Sequence, residues 1–332
     1  MSRLTRSRGF WIGLVAVVGT LALPIALDDS QLTVYVFICL SVTVVAGLSL
    51  LLGFAGQVSL GQGAFYAIGA YTAALLTKLV GIPPLVSLVA AAVIPAAVAG
   101  IIGLPLLRLR GHYLAFGTLA FQLIVLSAIS ETRGITGGDT GFPGIPTLSL
   151  GPLSLEGPER TFAFAYVSWL LALLALVCTR NLVRSRPGRA LRALATSEPG
   201  ALGSGVPVGR YKLQVFAFSA ALAGVAGGVY AFFAEYISPG SFPVLLSIQF
   251  LIMATVGGLG SIWGAAVGAP VVYLVVQVLA NLGTAPGMPL RAPVIFSYAL
   301  YAVALVVIML LLPGGLVPSI QARLRSMRRP VS

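Results

Sequence analysis

Charge is nearly absent from long stretches of this chain, and that decides what it can fold into. Acidic and basic residues together make up 8% of the sequence and AVILMFWYC residues 58%. An ordinary soluble domain carries about 25% charged residues. So few charges cannot cover a water-facing surface, so lipid must cover most of it. Apolar stretches of spanning length run over 10–27, 32–52, 61–80, 84–107, 113–129, 162–179, 213–236, 264–282 and 293–312. A helix needs about 20 such residues to cross hydrocarbon. The stretch 244–256 is apolar but too short to cross alone, and Gly257, Gly258 and Gly260 follow it. It reads as a broken or re-entrant helix, a form tolerated only inside a bundle. The expected fold is all-α, a polytopic transmembrane bundle of about 8–10 membrane elements. One domain, 10–318, would lie between basic ends at 1–9 and 319–332.

The same arithmetic removes several functions. One histidine, His112, and two cysteines, Cys39 and Cys178, cannot build a metal site or a disulfide framework. No Gly-Lys pair occurs, so the chain has no phosphate-binding P-loop of its own. No carboxylate pair or nucleophile–base set lies at membrane depth, so catalysis has no candidate residues. The net charge of +12 reads as arginine at the cytoplasmic membrane surface rather than as a nucleic-acid site. Arg3, Arg6 and Arg8 precede the first apolar run without an A-x-A cleavage pattern, so that run is expected to be an anchor and not a signal peptide.

With the tenth element counted, both termini fall on one side and the charges sort. Sixteen of the 20 basic residues then share a side: Arg3, Arg6, Arg8, Arg108, Arg110, the seven of loop 180–212, and Arg323, Arg325, Arg328 and Arg329. The other side holds Lys78, Arg133, Arg160 and Arg291 with seven of the eight acids. The positive-inside rule makes the first side cytoplasmic. It also leaves 131–161, rich in Gly and Pro, as a long outward loop of the kind that is functional or disordered.

Three patches break the apolar pattern. Gly53, Gly56, Gln57, Ser59, Gly61 and Gln62 sit between two spans. Buried amides there need partners or a hydrated path, so the patch is either interhelical glue or pathway lining. Gly257, Gly258 and Gly260 open a second patch. Gly264 and Gly268, with Gly224 and Gly228, form small-residue stripes that favour close helix packing. The Gly-x-x-Gly spacing at 53/56 and 257/260 hints at a duplicated half. In loop 180–212, Arg189 and Arg192 lie three apart on a short helix, and Arg210 and Lys212 precede the next span. That loop is either a lipid-facing basic segment or a docking site for a cytoplasmic partner. Nothing ionisable lies deep in a span, so any transport is passive or powered from outside the chain.

Six separated motifs resemble the permease subunits of branched-chain amino acid ABC importers, of the LivM type. They are GLSLLLGFAGQVSLGQGAFYAIGAYTAALL (47–76), LRLRGHYLAFGTLAF (107–121), ITGGDTGFPGIP (135–146), GRYKLQVFAFSAALAGVAGGVYAF (209–232), the run 239–270 and LPGGLV (312–317). The resemblance implies a second, homologous permease as heterodimer partner, two ABC ATPases that use ATP and Mg, and a periplasmic or lipid-anchored substrate-binding protein. This chain would bind no cofactor itself and would sit in the bacterial inner membrane. It also implies that Glu198, Ala201, Gly205, Arg210 and Lys212 belong to an ATPase-coupling loop. Pro199, Gly200 and Gly203 depart from the family pattern there, so the docking helix is expected to be short, to start after Pro199, or to form against its partner. A passive channel, and a permease for urea, short amides or aromatic amino acids, are the competing readings.

Overall fold

A computed structural model describes residues 17–283, apart from Arg110 and positions 151–152, 155–156 and 158, together with 303 and 315–317. The basic N-terminus, the first part of the run at 10–27, most of the expected span at 293–312 and the basic tail lie outside the described residues. Ten helices carry the architecture: α1 (Asp29–Ala55), α2 (Gln62–Leu79), α3 (Pro84–Leu106), α4 (His112–Glu131), α5 (Arg160–Arg184), α6 (Arg186–Thr196), α7 (Glu198–Gly203), α8 (Val208–Ala234), α9 (Val244–Gly257) and α10 (Ile262–Gly283). Among the described residues, six stretches are long and apolar enough to cross a membrane: α1, α3, α4, α5, α8 and Pro239–Gly257. The molecule is an all-α, polytopic membrane bundle.

Two expectations change. The stretch at 244–256 was expected to be too short to cross. A 3-10 turn at Pro239–Ser241 extends it, so that Pro239–Gly257 spans 19 residues. The stretch at 61–80 does form a helix, α2, but it falls outside the six, since Gln62, Thr77 and Lys78 dilute its apolar character. Burial replaces lipid as its environment. Its faces press on α8, α3 and α4, and Ala64, Phe65, Ala67, Ala70, Ala73 and Ala74 are fully buried.

The layers follow from side-chain size. Helices α1 and α8 form the centre, with 78% and 67% of their most apolar 18 residues buried, against 22% for α3 and 28% for α4 and α5. Helix α8 can sit between α2 and α3 because its facing residues are Gly and Ala. Pro95 lacks an N–H, so the Ala91 carbonyl four residues earlier loses its helical partner. Gly224 closes over that carbonyl. A Cβ at Gly224 would lie 2.2 Å from Ala91 O and 2.4 Å from Pro95 Cγ. On its other side Gly69 meets Gly224, and Gly227 meets the Tyr66 carbonyl, each at a spacing that leaves no room for a methyl group.

The described charges collect at the two ends of the bundle. Gly103 of α3 packs on Leu213 and Phe216 of α8, so Arg108 and the basic 186–212 segment share an end. At the opposite end Arg160 caps α8. Its guanidinium donates to the carbonyls of Phe232 and Phe233 and pairs with Glu235 at 3.1 Å. Glu235 is the one described non-glycine residue with positive φ, 56°. Its carbonyl accepts from Ile145 N–H at 3.1 Å.

That last bond belongs to a cap over this end. The Gly- and Pro-rich loop folds down in short pieces, and Phe142 and Pro143 pair antiparallel with Ile237 and Tyr236. Lys78 donates to the Pro143 carbonyl and stands over the Phe142 ring. Tyr236 donates to Thr140 O at 3.1 Å.

The central packing makes a direct prediction. Gly224→Ala should lower stability by about 3 kcal/mol or more, since backbone and a proline ring must move. Gly100→Ala has nothing within 4 Å of the new methyl and should be neutral or stabilising by up to ~1 kcal/mol. Thermal unfolding of both variants in detergent compares them.

Candidate translocation site

Helix α1 ends where Gly56 turns left-handed, at φ 64°, a conformation glycine adopts at no steric cost. The Gln57 N–H then reaches back to Leu51 O at 3.1 Å. Residues 56–61 run without regular structure until α2 begins at Gln62. Such a break is stable inside a membrane bundle only if neighbours satisfy its backbone. Two helices and the break's own Ser59 do so. Thr118 of α4 accepts from the Leu60 N–H at 2.9 Å, Ser59 from the Gly61 N–H at 3.3 Å, and Ser247 of α9 from the Gly63 N–H at 2.7 Å. Ser247 in turn donates to Gln122 Oε1 at 2.6 Å. The Gln122 amide nitrogen donates to Phe242 O and Pro243 O at 3.5 and 3.4 Å. From α8, Ser219 meets the Gln62 amide nitrogen at 3.1 Å.

The result is a buried cluster of amides and hydroxyls without a single ionisable group: Gln57, Ser59, Gln62, Thr118, Gln122, Ser219 and Ser247, all at most 3% exposed. Sequence reasoning picked out Gln57, Ser59 and Gln62 but missed the other four. Each of those is a lone polar residue in an apolar helix, and the only available signal was its being polar at all. Two atoms stay unsatisfied. The Oε1 atoms of Gln57 and Gln62 are buried without a hydrogen-bond partner.

The glycine patches meet one another. A Cβ on Gly53 would come within 2.2 Å of the Gly260 nitrogen, so the end of α1 lies backbone to backbone against the α9–α10 turn. A Cβ on Gly315 would likewise come within 2.3 Å of the Gly258 Cα. Gly257 faces Gly264, and Gly268 faces Met253 and Gly257, which locks α9 against α10. Gly61 abuts Thr118. Gly224 and Gly228 stand elsewhere, against Ala91 at the α8–α3 contact.

The remaining residues lie at the basic end. Arg189, Arg192 and Arg210 are exposed, while Ala201 is buried. Helix α7 starts at Glu198, one residue before Pro199 and not after it, because Ser197 caps it by accepting from the Gly200 N–H at 3.2 Å and proline fits a first turn. Gly205 follows with φ 77°. Glu198 pairs with Lys212 in the first turns of α8 at 2.8 Å. Ser219 lies on the same helix, roughly 10 Å further along its axis.

A spanning bundle with a buried, uncharged polar break is the architecture of a membrane permease. The family model described as "Branched-chain amino acid transport system / permease component" matches residues 31–312, and the chain belongs to that family. It is a transporter subunit and not an enzyme. The high-affinity branched-chain amino acid transport system permease protein LivM of Salmonella typhimurium is 32% identical over 90% of this chain and 72% of its own length. In Methanocaldococcus jannaschii, a probable LivM permease is 28% identical over 77% of this chain and 75% of its own. A probable LivH permease of that organism is 31% identical over 64% and 68%. No solved structure matches the chain.

Removing the hydroxyl that joins α2, α4 and α9 tests the cluster. Ser247→Ala leaves the Gly63 N–H and Gln122 Oε1 unpaired, and should lower stability by about 1–2 kcal/mol. Unfolding in detergent measures it.

Proposed function

We propose that this chain is one of two related permease subunits of an ATP-driven importer for branched-chain amino acids. It sits in the inner membrane with its basic end in the cytoplasm. Family membership supports the substrate and the transport role. Similarity to both a LivM and a LivH permease of one organism supports the pairing of two related permeases. The excess of arginine and lysine at one end supports the orientation.

One observation carries the mechanism: α8 links the two places where an importer must be coupled. Its first turns hold Glu198 of α7 through Lys212, and its middle holds Gln62 at the break through Ser219. ATP binding and hydrolysis on partner ATPases would move α6 and α7, where Arg189 and Arg192 stand exposed. Helix α8 would carry that movement to the polar cluster. The glycine contacts of 53–63 with 257–264 would serve as the gate, since backbones meeting without side chains can shift with little steric obstruction. Hydrolysis takes place on other chains, and a binding protein delivers the solute from the opposite side.

The partner assembly is the test. A tagged chain purified in mild detergent should bring down a second permease and two ATPases. Glu198→Arg should lose the ATPases and keep the permease. The Glu198–Lys212 pair is partly exposed, and such pairs contribute about 0–1 kcal/mol, so loss of the ATPases would not reflect unfolding. Recovery of the chain alone, passing solute in liposomes without ATP, would establish a passive channel instead.

A further inference from the structure

We infer that Gln57 and Gln62 contact the main-chain ammonium and carboxylate of the amino acid in transit, an inference that rests on the importer reading above. It comes from following the side-chain donors and acceptors gathered at the break. The N–H groups of Leu60, Gly61 and Gly63 are taken by Thr118, Ser59 and Ser247. The orientation of Gln122 is fixed, because both partners of its amide nitrogen, Phe242 O and Pro243 O, can only accept. Its oxygen receives the Ser247 hydroxyl. What is left over is Gln57, 3% exposed, with a buried oxygen that nothing donates to, and one end of the Gln62 amide, 0% exposed. Ser219 is the partner of Gln62, so whichever way round that amide sits, its other end stays free.

Packing alone does not require this. Elsewhere in the bundle α2 and α3 are joined by a buried polar pair in which Thr77 donates to Ser87 at 2.9 Å. Single hydroxyls are also left over, those of Ser49, Tyr71 and Thr179, one on each of three helices, whereas the break holds two unsatisfied amides five residues apart. Buried amides left half-satisfied weaken a bundle, and two of them flanking one break mark a place where a visiting molecule completes the hydrogen bonding.

The chemistry of that visitor follows from the groups offered. A primary amide presents an acceptor and two donors and carries no charge. Its oxygen suits an ammonium group and its nitrogen a carboxylate, so a pair of amides fits a zwitterion without burying a net charge. An ionised side chain would hold one end of the solute too tightly to release it, whereas a pathway needs binding that is favourable but weak. One turn beyond Gln62 on the same face of α2, Tyr66 packs among the rings of Tyr230, Phe242 and Phe250. They form the kind of apolar wall a branched aliphatic side chain packs against.

The experiment uses the complete complex in proteoliposomes: this chain, its partner permease, the ATPases and the binding protein. Uptake of labelled L-leucine and ATP hydrolysis are measured together. Gln57→Leu and Gln62→Met are expected to lower leucine uptake per ATP by about tenfold or more, the effect of losing a hydrogen bond to a charged group. Hydrolysis stimulated by the binding protein should persist. Thr77→Val, at the fully paired contact, should leave the ratio unchanged. Unchanged uptake per ATP in both glutamine variants would overturn the inference, as would uptake and hydrolysis falling in proportion, which marks a structural role. If Gln57→Leu does not assemble, Gln57→Asn keeps the amide but withdraws it by one methylene; normal uptake per ATP in that variant would also overturn it. A wild-type complex that takes up no leucine would remove the importer reading itself, a result distinct from any of these.

Discussion

The hydrogen bond from the Gly63 N–H to Ser247 anchors the interior of this molecule. Where water is scarce, backbone groups at the end of a helix must find partners inside the protein. Helix α2 begins deep in the bundle, and its first turn has no side chain of its own to cap it. Ser247 supplies the acceptor, Gln122 orients Ser247, and the carbonyls of Phe242 and Pro243 orient Gln122. The links run from the start of α2 to α9, across to α4, and back to the residues that lead into α9. The break between α1 and α2 is stable because α4, α8 and α9 surround it with uncharged hydrogen-bonding groups.

Small residues make that closeness geometrically possible. Gly69, Gly224 and Gly227 let α2 and α3 approach α8 until backbones touch; Gly53 and Gly260 do the same between the end of α1 and the α9–α10 turn, and Gly258 and Gly315 between that turn and residue 315. Both sets of contacts lack interlocking side chains, but they differ in setting. The first lies along helix sides, whereas the second joins places where helices stop. Helices packed along their sides resist separation, while joints between helix ends leave room for relative rotation.

Much of this could be read in the sequence. Apolar runs without charge located the helices, because lipid admits little else. The glycine patches stood out because they sat beside Gln57, Ser59 and Gln62. The hydrogen-bond partners did not stand out. Thr118, Gln122, Ser219 and Ser247 are single polar residues in apolar helices, of the kind membrane helices often tolerate, and only the fold assigns them to one cluster. Nor did the loop composition reveal the cap. Gly and Pro describe turns, whereas the order of 137–145 comes from Lys78, Tyr236 and Ile237, which lie far away in sequence. The apolar helix at 244–257 is by itself as short as its sequence suggests. It reaches spanning length only with the turn that Pro239 starts before it, which a pattern of breakers did not reveal.

The long-range bonds at the break also govern how such a chain is made. The partner of Gln62 lies 157 residues further on and that of Gly63 lies 184. At synthesis rates of about 5–20 residues per second, the ribosome needs on the order of ten seconds or more to reach Ser247. During that interval the Gly63 N–H lacks the partner it has in the finished protein. It must therefore keep water, or the insertion machinery, as a temporary partner. The Gly63 N–H gains its final partner only after α9 has been made.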